Sequence, residues 1–487
     1  MLRVNNSKDK SQEGFLCMQY DTDTQLAQES SEVSQKLAFD LSRLLAPLLV
    51  ALDAQLDVRL VRTFLATIAV MIQFRNRAQG LLLSALGAYL LSPQHAPAGT
   101  KRISNLLRSS KWSSVLIERF LWQRADVRLE ELEEQQSQAL CIWDGSVLEK
   151  AESEKVEGLC AVRSSKAKRL RKLKPGLFNQ LSGPPIVVRG MEWTAVLLAG
   201  FKQAPTVVAM KWWSRKGQYA TTQRQVEQAL LVRLAGAWGE RVLHVFDRGY
   251  ASRNWLAALQ EAEVRFLIRW QKGHVVWDAA GQERKIWQLI RGKRPQERRE
   301  VYDARMHTTR LMGINVLSFR HPGYAAPLWL VVARPGGGKE PWYLVTNTPT
   351  TSLDAGWRMI FAYARRWQIE LAFRYSKSEL GIESPRLWKW DHRIKLLLMV
   401  TLAYVFLLSL LHPLLEPTRQ WLLRHWCHRT GKRCREATAP LYRLRWAISR
   451  LWQDYNPRDF LVLPKVRDDS CLCRHRRRCL TKIYNHI

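Results

Sequence analysis

The sequence predicts a mixed α/β fold with helical segments on both sides of it. Three observations indicate this: helical periodicity near both ends of the chain, short apolar runs separated by turn residues in its middle, and helical periods between several of those runs. The chain has 487 residues, and 47% of them are hydrophobic, so it is able to form buried cores.

The charge of the chain is strongly positive. It carries 76 Lys and Arg against 43 Asp and Glu, which gives a formal net charge of +33 at pH 7. Such a balance favours a polyanionic partner, with nucleic acid ahead of a membrane surface. The alternative is a basic surface that binds only solvent and counterions.

The pattern changes several times along the chain, and we predict these segments: a loose N terminus at 1–35, a helical domain at 36–132, an α/β core at 133–270, a β-rich insertion at 271–350, the rest of the core at 351–415 and a basic helical tail at 416–487. The helical domain has the composition of a helix-turn-helix DNA reader, but an ordinary helical bundle with a basic face has it too. Its first helix is expected to break at Pro47.

Two apolar runs in the core each end on an acid. They are Ala139–Asp144 and Arg241–Asp247, and each reads as a short strand. Further strands are predicted at 193–201, 205–213 and 264–270, and helices at 222–238 and 252–262. Side chains at strand ends leave the core while their backbone stays rigid, so Asp144 and Asp247 are candidates for a site. A turn or a helix cap is the alternative for each.

The insertion and the segment after it differ in predicted secondary structure. Strands are predicted at 300–306, 310–320, 327–334 and 341–347, and helices return after Thr350. The apolar run Leu396–Leu411 is shorter than a typical spanning helix and reads as a buried core helix. A membrane-surface protein that uses this helix is the weaker alternative.

One predicted helix lines up four polar side chains. Tyr363, Arg366, Glu370 and Lys377 lie within an arc of roughly 60° if residues 363–377 form one continuous helix. A solvated face with an Arg366–Glu370 ion pair would explain this pattern alone. Together with Asp144 and Asp247, however, Glu370 completes a set of three carboxylates in a basic chain. Such a set fits a divalent-metal site for phosphodiester cleavage, in which two ions activate water and neutralise the phosphate.

The same residues carry a family resemblance. The spacing of Tyr363, Arg366, Glu370 and Lys377 resembles the Tyr-(2)-Arg-(3)-Glu-(6)-Lys signature of one branch of the DDE-type transposases of bacterial insertion sequences. "DGS" at Asp144 and "DRGY" at Asp247 resemble the first and second acidic motifs of that family. The resemblance covers roughly residues 139–411, and the β-rich stretch lies where this branch carries an inserted domain.

The resemblance implies an RNase H-like core and a set of roles. Asp144, Asp247 and Glu370 would be catalytic and would hold two Mg²⁺ ions, for which Mn²⁺ substitutes. The predicted DNA-binding residues are Tyr363, Arg366, Lys377, Arg248 and Trp287, and Trp287 is the candidate to stack on a flipped base. A Trp in a local β core is an equally good interpretation of Trp287.

The function implied is cut-and-paste DNA transposition. The protein would bind the inverted terminal repeats of its element, cleave the ends and join the 3′-OH ends to target DNA, as a homodimer on double-stranded DNA and without a membrane. We expect a cytoplasmic, nucleoid-associated bacterial protein, since no secretory signal is visible and cysteines are sparse. The alternatives are an RNase H-like nuclease without strand transfer and a transposase-derived DNA-binding protein that lacks catalysis.

The cysteines leave one further question open. Five of the eight lie in the last part of the chain near histidines, without the paired spacing of a typical zinc site. They are Cys427, Cys434, Cys471, Cys473 and Cys479.

Overall fold

We describe the protein from a computed structural model, in which residues 10–74, 80–153, 155–167, 183–303, 308–336, 338–427 and 441–464 are described. The chain separates into two compact units. Unit 1 contains residues 1–116 and 402–487, and unit 2 contains residues 117–401. The six segments predicted from the sequence divide the chain more finely than these two units, and they stay a prediction. The C-terminal cysteines other than Cys427, and most of the basic stretch 163–176, lie outside the described residues.

Unit 1 is helical. Its helices are α1 (Lys10–Asp53), α2 (Val58–Gln73), α3 (Leu83–Leu90), α4 (Ala96–Arg108), α11 (Glu416–His425) and α12 (Leu441–Asp454). Helix α1 begins inside the segment that we expected to be loose. The break expected at Pro47 is wrong, because α1 runs through this residue. Buried leucines on both sides of it, Leu45 and Leu49 among them, hold the helix against its neighbours although proline removes one backbone hydrogen bond.

The described residues of unit 2 form one twelve-stranded sheet. Its strands are β1 (Ala139–Glu149), β2 (Cys160–Arg163), β3 (Val187–Ala199), β4 (Thr206–Trp213), β5 (Val242–Phe246), β6 (Arg265–Arg269), β7 (Val275–Trp277), β8 (Glu283–Lys285), β9 (Glu297–Asp303), β10 (Thr308–His321), β11 (Tyr324–Arg334) and β12 (Trp342–Thr346). The mixed α/β prediction is confirmed. Of the described strands, β2, β7 and β8 were not predicted.

The order of the sheet is β2-β3-β1-β5-β6-β12-β11-β10-β7-β8, with β4 added beside β3 and β9 beside β10. The central strands β1, β5 and β6 are parallel to one another. All other described pairs are antiparallel. The strands of the β-rich stretch thus continue the same sheet through β12, which pairs with β6.

Helices pack on this sheet. They are α5 (Val115–Glu134), α6 (Gln223–Trp238), α7 (Arg253–Glu261), α8 (Leu353–Arg365) and α9 (Trp367–Ser378); α10 (Trp390–Ser409) follows them along the chain. Apolar side chains of α5, α6 and α7 form a continuous core with the sheet, in which Trp143 and Phe246 are fully buried. Because the parallel strands are covered in this way, their ends are fixed in position.

Helix α10 contains the long apolar run of the sequence. By length and composition it is the one helix among the described residues that is able to cross a membrane, and 83% of its most apolar stretch is buried within the structure. This burial is what a core helix shows.

Candidate active site

The two aspartates flank the parallel centre of the sheet. Asp247 directly follows β5, as the sequence predicted. Asp144 does not end its strand, so that prediction is wrong: β1 continues to Glu149 because its second half pairs with β3, where Asp144 faces Ala195. The parallel pairing of β1 with β5 does end at Ile142, just before Asp144.

The expected continuous helix at 363–377 is also wrong. Helix α8 ends at Arg365 and α9 begins at Trp367, so Arg366 lies at the junction. The amide of Arg366 donates to the Tyr363 carbonyl at 3.0 Å, and the amide of Ile369 donates to the Arg366 carbonyl at 3.2 Å. Both bonds span three residues, which is the tighter spacing of a 3₁₀ turn. The four polar residues therefore do not form a single straight ridge.

The junction places Arg366 among the three carboxylates. Its Nη1 atom lies 3.3 Å from Asp144 Oδ2, its Nε atom lies 3.9 Å from Asp247 Oδ1, and its Nη2 atom donates to Glu370 Oε1. The Arg366 side chain is only 11% exposed. Asp144, Asp247 and Glu370, distant in sequence, thus converge on one guanidinium group.

Burial and neighbouring charges shape the ionisation of this cluster. Burial raises the pKa of Asp144 to about 7; Arg366 opposes the shift, and Asp247 and Glu370 add to it. Burial lowers the pKa of Arg366, but Tyr363, Asp247 and Glu370 outweigh it and raise that pKa overall. The cluster therefore keeps a cation at its centre and holds Asp144 near its protonation point at neutral pH.

Tyr363 completes the cluster from α8. Its hydroxyl donates to Asp247 Oδ1 at 3.3 Å, and the ring lies beside the Arg366 guanidinium. Burial raises the pKa of Tyr363 to about 12, so the hydroxyl keeps its proton. Arg269, the last residue of β6, interacts with the Tyr363 hydroxyl and lowers that pKa. Arg269 was not predicted as a site residue, although it ends β6, the strand parallel to β5, and strand ends are where a site is expected.

Lys377 does not join this cluster. Its Nζ atom lies 3.7 Å from Glu383 Oε1, and burial lowers the pKa of Lys377. Lys166 lies 2.8 Å from the other Glu383 oxygen. Lys150 is 2% exposed and donates to the carbonyls of Glu383 and Pro385. Lys377 thus belongs to a second cluster of mixed charge, together with Lys150, Lys166 and Glu383. The contact of Lys377 with phosphate stays a prediction.

The remaining predicted DNA-binding residues lie on two different 3₁₀ turns. Arg248 is exposed in a 3₁₀ turn directly after Asp247. Trp287 is half-buried against the core of the sheet, and the Arg291 guanidinium lies 5.5 Å from its ring centre. Their contacts with DNA stay predictions.

A buried acid next to the site was also missed. Glu227 on α6 accepts hydrogen bonds from Tyr250 Oη at 2.7 Å and from the Gln223 side chain at 2.8 Å. Burial raises its pKa. Tyr250 belongs to the "DRGY" stretch after Asp247, and its hydroxyl ties this turn to α6. An acid on an apolar helix face was the available signal.

The three carboxylates fit a divalent cation in donor type, since hard cations prefer carboxylate oxygens. A cation would also oppose the rise in the pKa of Asp144 that burial and the neighbouring carboxylates cause. As the side chains are arranged, however, the described part of the chain has no group of three or more His, Cys, Asp or Glu that could hold a metal ion. Arg366 is the common cationic partner, and an ion would take over that role.

Comparison with known families addresses the same region. Residues 218–406 match the family model of the transposase DDE domain. The match includes Asp247, Tyr363, Arg366, Glu370 and Lys377, while Asp144 lies before it. The chain therefore carries a region similar to a transposase DDE domain, and this region contains every member of the cluster except Asp144.

Two further comparisons add little. No curated protein matches the chain. A solved structure, the cryo-EM structure of a piggyBac transposase synaptic complex with hairpin DNA, is similar at 12% identity and a TM-score of 0.38, with 93% of this chain and 85% of that chain covered. A score at this level does not establish a shared fold.

Proposed function

We propose that this protein is a DNA transposase whose catalytic residues are Asp144, Asp247 and Glu370. One observation carries the proposal: three carboxylates from β1, the end of β5 and α9 converge on Arg366, inside or next to the region that matches a transposase DDE domain. Two of the three, Asp247 and Glu370, lie within that match.

The roles follow from the chemistry of these groups. Asp144, Asp247 and Glu370 would hold two Mg²⁺ ions, replaceable by Mn²⁺, and these ions would activate water and neutralise charge on the phosphate and the leaving oxygen. Tyr363 holds Asp247 by its hydroxyl hydrogen bond. Arg366, once released from the acids, is a bidentate donor suited to a phosphate next to the scissile bond.

The finer reading follows the family resemblance. We propose an RNase H-like core, membership of the insertion-sequence branch with the Tyr-Arg-Glu-Lys signature, and cut-and-paste transfer of element ends to target DNA by a homodimer. The net charge of +33 supports a DNA partner. A cytoplasmic, nucleoid-associated location belongs to the same proposal.

The test is an assay of cleavage and strand transfer. Labelled duplex DNA that spans the boundary of the encoding element is incubated with the protein in Mg²⁺, Mn²⁺ or EDTA, beside Glu370→Gln. Nicking at the boundary that needs metal and is lost in the variant is expected. Pre-cleaved ends offered with a target plasmid then report joining.

One observation favours the second candidate, a DNA-binding protein without catalysis. Arg366 occupies the centre of the carboxylates, which in that case would be a permanent structural ion network. Specific binding without cleavage in either metal would support it. Cleavage without joining of pre-cleaved ends would instead support a nuclease.

A further inference from the structure

Unit 1 contains an open cleft that faces solvent. Its volume is about 890 Å³, and it is formed by α2, the connection between α3 and α4, α4 itself and the turn at 456–459. The residues that line it come from both the N-terminal and the C-terminal part of the chain. It lies outside the region that matches the transposase DDE domain.

The charge of the cleft is mainly positive. Arg59, Arg62 and Arg102 line it and are exposed, and none of them has an ion-pair partner among the residues described. Its two acids are Asp57 and Asp459. The Asp57 carboxylate caps α2 by accepting the Arg59 amide at 2.8 Å, so it already has a structural role. Three unpaired guanidinium groups in one cleft are suited to an anion with repeated charges.

Helix α4 presents a polar face beside these arginines. Lys101, Arg102, Asn105 and Arg108 are exposed, and they lie within an arc of roughly 120°. The opposite face is buried through Gly99, Ile103, Leu106 and Leu107. Arg and Lys are the side chains that read guanine in the major groove, and Asn reads adenine.

This face is held rigidly. Helices α3 and α4 approach so closely that a Cβ atom on Gly87 would lie 2.4 Å from the Thr100 amide nitrogen, and one on Gly99 would lie 2.2 Å from the Gly87 carbonyl oxygen. Only glycine allows this contact. The buried Arg445 of α12 donates to carbonyls at the end of α2, including Met71 at 3.0 Å. A short turn joins a packing helix to an exposed polar helix, as in helix-turn-helix readers.

We propose that α4 is a recognition helix for double-stranded DNA. Arg102 and Asn105 contact base edges in the major groove, while Arg59 and Arg62 of α2 contact the flanking phosphates. The inference deepens the proposed transposase function and rests on it for the identity of the DNA, namely the ends of the element. Base contacts specify a sequence, whereas phosphate contacts position the protein.

The experiment uses the full chain and a pool of labelled 40-base-pair duplexes with a randomised centre. Binding is measured over a salt series, and the bound duplexes are sequenced after repeated selection. Asn105→Ala and Arg102→Ala are expected to relax the selected sequence, with a loss of roughly 5- to 150-fold for the best wild-type duplex. Arg59→Ala/Arg62→Ala is expected to weaken binding to all duplexes alike and to reduce the salt slope by about 2.

Arg450→Ala is the matched control, because Arg450 is exposed on α12 of the same unit and does not line the cleft. It should leave affinity and selected sequence unchanged. Equal thermal unfolding of all variants excludes a folding defect. The proposal is overturned if Arg102→Ala and Asn105→Ala select the wild-type sequence with wild-type affinity.

Failure of this inference differs from failure of the proposed catalysis. If the wild-type protein selects a sequence through α4 and yet cleaves no DNA in Mg²⁺ or Mn²⁺, the recognition helix stands and the catalytic assignment fails. If the wild-type protein cleaves element ends and the α4 variants bind and cleave like wild type, the recognition helix is wrong and the catalytic assignment stands.

Discussion

Arg366 Nη1 lies 3.3 Å from Asp144 Oδ2, which joins two residues 222 positions apart in the chain. The same guanidinium group also contacts Asp247 and Glu370. Arg366 therefore supplies positive charge to three converging carboxylates.

Removing Arg366 should increase the affinity of the free protein for divalent metal. We expect Arg366→Ala to bind Mn²⁺ roughly tenfold or more tightly, because repulsion between like charges ~4 Å apart near a protein surface is about 4 kcal/mol. Mn²⁺ titration followed by electron paramagnetic resonance measures this. Arg374→Ala, on the same helix, should bind Mn²⁺ with the wild-type affinity. Weaker Mn²⁺ binding by Arg366→Ala than by wild type would show that Arg366 and the metal do not compete for the three carboxylates.

Removing the Tyr363 hydroxyl should reduce cleavage modestly. Tyr363→Phe loses one hydrogen bond to Asp247, and a neutral bond of this kind contributes about 1 kcal/mol, so the single-turnover rate should fall roughly fivefold. Tyr442→Phe, at an exposed tyrosine, is the control. An unchanged rate in Tyr363→Phe would show that Asp247 is positioned by other groups.

Removing the Lys150 amine should destabilise the second cluster. Lys150→Met leaves the part-buried Glu383 carbonyl and the buried Pro385 carbonyl without their donor, which should lower the free energy of unfolding by about 2 kcal/mol. Urea unfolding measures the change. Lys155→Met, at an exposed lysine nearby, should change stability by less than about 0.5 kcal/mol. Equal effects of the two substitutions would contradict the role of Lys150 as the donor to these carbonyls.

Acid should destabilise the protein through His244. This residue is fully buried in β5, its Nδ1 accepts from Trp143 Nε1 at 3.0 Å, and burial lowers its pKa to about 3. Below about pH 6.5 the His244 imidazole therefore binds a proton in the unfolded chain but not in the folded chain. Its contribution to stability is complete above that pH and is lost as pH falls toward 3, by at most about 1.4 kcal/mol per pH unit.

The measurement is urea unfolding of wild type and His244→Leu between pH 7 and pH 4. The leucine variant should show a shallower decrease of unfolding free energy with acid, because one titrating group is gone. Parallel pH curves for the two proteins would show that His244 does not carry the effect.

The sequence predicted Asp247 well because its position depends on local pattern, an apolar run followed by an acid and a turn. It did not predict that Asp144 lies inside a longer strand, since β1 continues only through pairing with β3, about fifty positions away along the chain. Strands β7 and β8 have three residues each and leave no readable alternation.

The junction at Arg366 was hidden for a related reason. Tyr363, Arg366 and Glu370 fit the period of an unbroken helix, and nothing in the local sequence marks a break. The contacts of Arg366 with Asp144 and Asp247 come from other parts of the chain, and only the folded structure brings them together. Spacing in the sequence identified Arg366 and Glu370, but not the position of Arg366 between the three carboxylates.

The central claim is that Asp144, Asp247 and Glu370 form the catalytic centre for DNA cleavage. Its most direct test is the single-turnover cleavage of element-end DNA in Mg²⁺ by wild type, Glu370→Gln and Glu283→Gln, at protein concentrations that saturate the DNA in each case. Glu283 is an exposed carboxylate on β8 and serves as the control. We predict cleavage by wild type and Glu283→Gln, and none above background by Glu370→Gln. Cleavage by Glu370→Gln at the wild-type rate would contradict the account.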